Sequence, residues 1–295
     1  MYNMGAYYEA TSVAHAISLL QRHSGPTTKI VAGGSDVLIQ MREGKLAGYT
    51  LVSIQRLDEL RGVYMDDDET LRILPVTSFS HITKHPLIKE YINVLGYAVD
   101  QIGSPQIRNI GTIGGNICNG VTSADSASTL LAYDAVVEIT GPAGVRRLPI
   151  TDFYIKAGVV ALMPDEVLTA ILIPKESYEN THGHYIKYAM RNAMDIATLG
   201  CSLNVRLSPD KRAVERVRVG YGVAGPVPMR AKNAEEAGNG RPASMDTVNR
   251  AAKAALLDVN PRDSWRASKA LRLHLAEELC RRAFTMAITR AGGSL

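Results

Sequence analysis

Residues 106–116, QIRNIGTIGGN, constrain this chain more than any other stretch, because three glycines fall within five positions at Gly111, Gly114 and Gly115. Glycine tolerates positive φ and lets another backbone or a ligand come within contact distance. Consecutive turn-forming residues can also aim several backbone N–H groups at one point and so make a nest for an anion such as a pyrophosphate. An earlier stretch has the same character: the short apolar strand Lys29-Ile30-Val31-Ala32 breaks into a Gly33-Gly34-Ser35-Asp36 turn. Either alone reads more readily as a plain tight turn. Two such turns in one domain, each leaving an apolar strand, point toward a shared ligand, and valine at Gly33 or Gly115 is then expected to remove that ligand more than it harms the fold.

The chain has 295 residues, enough for two domains. Its net charge of +4 is scattered apart from short pairs such as Arg146-Arg147, so no nucleic-acid footprint is expected. No run approaches the roughly 18 apolar residues of a membrane span. The first ten residues lack the basic-then-apolar pattern of a secretory signal. Cys118, Cys201 and Cys280 are far apart and form neither a CxxC pair nor a zinc or iron–sulfur spacing. Three scattered thiols suit a reducing, cytoplasmic compartment. A redox centre here must therefore be organic.

Read in order, Thr11-Ser12 can cap a helix carrying Val13, Ala16, Ile17 and Leu20, which Gly25-Pro26 ends. A strand at 29–31, a helix opening at Asp36 and a strand at 50–54 complete a small α/β unit. The acidic run Asp66-Asp67-Asp68-Glu69 reads as a hairpin turn. Helices are expected at 77–85 and 86–102, the second burying Leu87, Tyr91, Leu95, Ala98 and Ile102. Strands at 135–140 and 145–148 flank the turn 141–144, and a strand running to Pro174 closes the domain. After the polar stretch 175–182, segments 185–190, 196–207 and 214–223 read as a three-stranded antiparallel sheet. Helices at 244–257 and 264–291 follow, the latter carrying Leu271, Leu275, Leu279 and Phe284.

Other motifs carry less. Residues 220–225, GYGVAG, match GxGxxG after a strand, but Pro226 and Pro228 follow where a dinucleotide fingerprint needs a helix. His81/His85 and His182/His184 lack a local carboxylate or thiol to complete a metal site. No GxSxG elbow, HExxH or P-loop lysine is present, which counts against hydrolase and phosphotransfer chemistry. Lys187 and Arg191 precede Asp195, leaving open either an Arg–Asp pair tying two strands or a place beside a ligand. Asp125 is equally open to capping a helix or binding a ligand.

On these residues the chain resembles the FAD-binding medium subunits of the bacterial xanthine dehydrogenases, within the molybdenum hydroxylase family. AGGSDVLIQ, PQIRNIGTIGGNICNGVTSADSAS, KYAMRNAMDIATLG and SWRASKALRLHL spread the resemblance over nearly the whole length. It implies an α+β fold: a two-part FAD-binding domain of the PCMH/vanillyl-alcohol-oxidase type over 1–176, with parts of about 1–57 and 58–176. A C-terminal medium-subunit domain follows over 177–295. FAD would lie non-covalently between the two parts. Its implied contacts are Lys29, Ile30, Val31, Ala32, Gly33, Gly34, Ser35, Asp36, Ile102, Gly111, Thr112, Ile113, Gly114, Gly115, Asn116, Asp125, Leu168 and Lys187. A molybdopterin-binding large subunit and a small subunit with [2Fe-2S] clusters would be partners, in a heterotrimer or a dimer of heterotrimers. Electrons from hypoxanthine or xanthine, in purine metabolism, would pass through the partners to this FAD and then to NAD. Two alternatives stand beside that reading. One is a medium subunit serving a heteroaromatic, aldehyde or carbon monoxide substrate; the other is a nucleotide-binding module with no redox role.

Overall fold

The structure is a computed structural model and describes residues 2–295. It is an α+β fold of three sheets in series, with one two-stranded hairpin at their margin. The first sheet is parallel, with Tyr49–Ser53 between Met4–Glu9 and Thr28–Val31. Parallel neighbours need crossovers. Helix Val13–Arg22 supplies one, started by Ser12, whose hydroxyl accepts from the His15 N–H at 3.0 Å. Helix Ser35–Arg42 supplies the other.

The second sheet is antiparallel, in the order Val63–Met65, Leu71–Ile73, Val167–Ile173, Val136–Gly141, Gly144–Pro149. Its inner face packs under a layer of short helices into the largest core, with Leu71, Ile73, Leu95, Ile113, Leu130, Ile139 and Ile171 all fully buried. The helix expected over 86–102 is two, Pro86–Tyr91 and Asn93–Asp100, hinged at Ile92. The hinge folds the second helix against the first, where an added Cβ on Gly96 would lie 3.2 Å from the Ile88 side chain. The buried positions accordingly become Ile88, Ile92, Leu95, Ala98 and Val99, while Leu87, Tyr91 and Ile102 are half-buried.

In the third sheet His182–Tyr188, Leu199–Leu207 and Ala213–Gly222 pair antiparallel in sequence order, as expected. Two-residue strips, Met229–Arg230 and Arg241–Pro242, add to the last of them. Strips that short carry no sequence period, so only the pairing shows them. The 22-residue helix Lys269–Arg290 packs on this sheet through Leu275, Leu279, Cys280, Phe284 and Ile288. It starts at the Ser268 cap rather than at 264, and Leu271 points to solvent.

Helix Asp125–Ala132 lies between the second and third sheets, and every one of its residues is buried. Of the 220–225 glycines, Gly220 serves this contact. An added Cβ on Gly220 would sit 2.1 Å from the Ser128 carbonyl oxygen, and Gly220 and Gly222 lie within a strand with no helix behind them. Arg218 and Arg230 both reach Asp134 at the far end of the same helix.

Candidate functional site

Strand Thr28–Val31 ends in a turn at Gly33 and Gly34, and Gly34 holds φ +76° as the cap of helix Ser35–Arg42. A left-handed residue there favours glycine strongly. Gly34 offers no side chain to cap the helix, so the N–H groups of Ser35, Asp36 and Val37 stay open. Together with those of Gly33 and Gly34, they have no acceptor among the described residues. Five unpaired donors at the positive end of a helix make a nest for an anion. The Asp36 carboxyl stands at its rim. Burial pushes that carboxyl above its ordinary range, and Lys29 pulls the other way.

The second glycine turn faces the first. An added Cβ on Gly33 would lie 2.1 Å from the Ile110 carbonyl oxygen and 3.2 Å from the Gly111 Cα, so the two turns touch backbone to backbone. Thr112 caps helix Ile113–Cys118, its hydroxyl accepting from Gly115 N–H at 3.1 Å. The neighbouring glycines do different things. Gly114 packs on Pro75, where an added Cβ would come within 2.3 Å of the proline Cβ. Gly115 is exposed and meets only the Thr112 hydroxyl, at 2.9 Å. Asn116 accepts from the Ser126 hydroxyl at 2.7 Å. Arg108 turns away, bonding the carbonyls of Ile102 and Gly103 and pairing with Asp100 at 3.2 Å.

Between the two parts opens a cavity of about 640 Å³. Lys29, Ile30, Ala32, Gly33, Gly34, Ser35 and Asp36 line it from one side; Ile102, Gly111, Thr112, Gly114, Gly115, Asn116 and Leu168 line it from the other. Four of the expected contacts lie elsewhere. Val31 is buried beneath its sheet against Met41, Leu46 and Leu51, and Ile113 is buried in the main core. Asp125 and Lys187 form an ion pair of 2.8 Å, each side chain only 7% exposed. Tyr185 donates to the second Asp125 oxygen at 2.6 Å, and Lys187 also donates to the Gln101 carbonyl at 3.0 Å. Burial pushes the Asp125 carboxyl up, while Lys187 and Tyr185 hold it down. Asp125 is the first residue of its helix, and its carboxylate caps no backbone N–H. The triad instead ties the C-terminal domain to the segment beside Ile102. Arg191 and Asp195 pair within one loop at 3.6 Å and tie no strands together. With Lys187 and Gln101 they border a smaller cavity of about 290 Å³.

The sequence reading passed over Leu162, Met163, Pro164 and Glu166, which line the main cavity as one continuous strap. A Met-Pro step between strands carries no signal of its own. Cys118 also reaches the wall, but burial pushes its thiol up to about 12, so it stays protonated and unreactive at neutral pH. No cluster of three or more His, Cys, Asp or Glu suited to a metal occurs among the described residues, and no helix is long and apolar enough to cross a membrane. The cavity is of the size that holds a large organic ligand. An open anion nest midway between apolar walls suits an extended dinucleotide.

Comparison with known proteins agrees. A family model described as the FAD binding domain in molybdopterin dehydrogenase matches residues 2–176, and one for the CO dehydrogenase flavoprotein C-terminal domain matches 184–287. The chain is 41% identical over 295 residues, all of both chains, to a xanthine dehydrogenase FAD-binding subunit of Escherichia coli O157:H7. It is 29% identical to the nicotinate dehydrogenase FAD-subunit of Eubacterium barkeri over 245 residues, 82% of each. Its fold superimposes with a TM-score of 0.93 on a chain of carbon monoxide dehydrogenase from Hydrogenophaga pseudoflava, at 28% identity, covering 98% of this chain and 99% of that one.

Proposed function

The chain belongs to the FAD-binding medium subunits of the molybdenum hydroxylases, and on that premise we propose that it is the flavin subunit of a cytoplasmic xanthine dehydrogenase that passes electrons from purine oxidation to NAD. The observation that carries the reading is the meeting of the two glycine turns at one cavity, with the Gly33–Val37 donors unpaired. Those donors fit a pyrophosphate, and the exposed Gly115 leaves room for one opposite them. Lys29, Ile102 and Leu168 also border the cavity and would meet an extended cofactor. Bound there, FAD supplies the exchange between single electrons and a hydride. The chain's own residues bind and orient it, and the apolar walls around Ile102, Val121 and Leu168 keep water out. The protonated Cys118 thiol accords with non-covalent binding.

The purine substrate rests on the 41% identity to a subunit named for xanthine dehydrogenase. Family members are subunits of multi-subunit enzymes with large and small partners. Here a molybdopterin-binding large subunit would meet the purine, and a [2Fe-2S] small subunit would relay the electrons, in a heterotrimer or a pair of them. Three free thiols accord with a reducing compartment. The purified chain should be yellow and release all its flavin on acid precipitation. Alone it should reduce an artificial dye with NADH and leave xanthine untouched. Xanthine-dependent NAD reduction should appear only with both partners present. Activity of that assembly on nicotinate or an aldehyde, without activity on xanthine, overturns the substrate assignment.

A further inference from the structure

The cavity wall at residues 161–166 has no regular structure, yet it is pinned at both ends by a side chain that stands outside the cavity. Arg146 lies on strand Gly144–Pro149 at the edge of the second sheet. Its Nε donates to Glu166 Oε1 and its Nη2 to Glu166 Oε2, each at 2.7 Å, and Nη2 also donates to the Ala161 carbonyl at 2.6 Å. Glu166 Oε2 accepts in addition from the Met163 N–H at 2.8 Å. One guanidinium thus closes a loop of six residues onto its own base. The fork geometry matters, because a planar guanidinium meets a carboxylate through two parallel bonds, whereas an ammonium is a point charge. The carboxylate side chain is only 11% exposed. The next residue, Arg147, projects from the opposite face of the strand and pairs with Glu138 at 2.8 Å, away from the strap.

We propose that Arg146, acting through Glu166, is a positioning residue that holds the 161–166 strap against the bound cofactor and sets how long the flavin stays. The proposal rests on the reading that this cavity holds FAD. Leu162, Met163, Pro164 and Glu166 line the cavity and lead directly into Val167 and Leu168, so six of the seven residues from 162 to 168 form wall on that side. Met163 is 63% exposed; Ala161 is tied to the Phe153 carbonyl at 2.8 Å and packs with Leu162 on the core, so the clamp is what fixes the outer part, 163–166. Releasing it frees the wall without opening the core beneath, where Val167, Leu168 and Ile171 stay paired in their sheet.

The test compares Arg146→Gln with Arg147→Gln in the full chain, reading the FAD off-rate and Kd from flavin fluorescence and the thermal midpoint of the flavin-free protein. A wall that covers the bound cofactor gates its escape, so Arg146→Gln should release FAD about tenfold faster or more, while Arg147→Gln should match the wild type. Both flavin-free variants should remain folded at the assay temperature, Arg146→Gln with the lower midpoint because Glu166 loses its cation while Glu138 keeps Arg72. Arg146→Lys keeps the charge and loses the fork, and should not restore retention. Glu166→Gln, near-isosteric, gives the same reading should Arg146→Gln fail to fold. Wild-type off-rates in both Arg146→Gln and Glu166→Gln, or equal acceleration in Arg147→Gln, overturn the proposal. A wild-type chain that takes up no FAD overturns the cofactor reading itself and this proposal with it.

Discussion

Gly33 and Gly220 face the same steric demand and serve different ends. At each, an added Cβ would lie 2.1 Å from a carbonyl oxygen, that of Ile110 at the first and of Ser128 at the second. Both are places where two pieces of backbone touch. Around Gly220 the polar groups are occupied: Gly220 pairs with Ser202 and Arg230, Gly222 with Gly200, and Val223 N–H donates to the Thr122 carbonyl at 3.0 Å. Around Gly33 they are free from Gly33 to Val37. A glycine motif therefore marks close approach. Whether the approach makes a seam or a binding site depends on where the N–H groups go.

The buried triad that spans the two regions should give the largest effect when broken. Lys187→Ala leaves Asp125 buried without its cation, which costs about 3–5 kcal/mol. A urea unfolding midpoint should fall accordingly, and an unchanged midpoint would mean that the pair is more hydrated than its 7% exposure indicates. Next comes the seam. Gly220→Ala drives a methyl into the Ser128 carbonyl, two pieces of backbone that cannot rotate away, for a loss of about 3 kcal/mol. Flavin bound per folded molecule should hold steady, since Gly220 lines no part of the cavity.

Gly33→Ala meets the same 2.1 Å contact between two turns that are less deeply set, for about 1–3 kcal/mol, and here flavin content should fall as well. Gly115→Val sharpens the contrast: its Cβ meets only the Thr112 hydroxyl, the cap of that helix, so stability should fall by about 1–2 kcal/mol while flavin is lost. The expectation that both glycines protect the ligand more than the fold thus separates. It is kept for Gly115, whereas Gly33 also holds the two parts together. Flavin content and circular dichroism, measured on the same samples, decide each case. Full flavin in Gly115→Val would show that the second turn does not meet the cofactor.

The smallest effect is one of pH. Arg146 holds the Glu166 carboxyl below its ordinary value of 4.5, with the Met163 N–H adding to the pull. A depressed carboxyl contributes stability that is fully present above its unfolded value and is lost as pH falls through the folded one. Flavin retention should therefore stay level from neutral pH down to about 5 and decline only below that. A decline already under way near pH 6 would place its cause elsewhere.

Much of this was legible in the chain because it depends on local rules. Gly33-Gly34 after an apolar strand, Ser12 and Ser268 before helical periods, and the alternation through 199–222 are each set within a few residues. The nest over 33–37 is likewise local, since it is built from consecutive backbone groups, whereas the N–H groups of Gly111 and of Ile113 to Asn116 are taken by Ile107, Thr77, Pro75 and Thr112. What the sequence could not settle depends on partners far along the chain. Gly114 is needed for Pro75 and Gly115 for open space, a distinction that identical neighbours in sequence cannot display. Asp125 was open to capping or ligation; its carboxylate caps no N–H, and Lys187 and Tyr185, some sixty residues away, each bond one of its oxygens. The strap at 161–166 has no period and no motif, and its outer part is held as a wall by Arg146 from another strand. Local backbone chemistry is written in adjacent residues; burial and ion pairing are properties of the space that only the folded chain encloses.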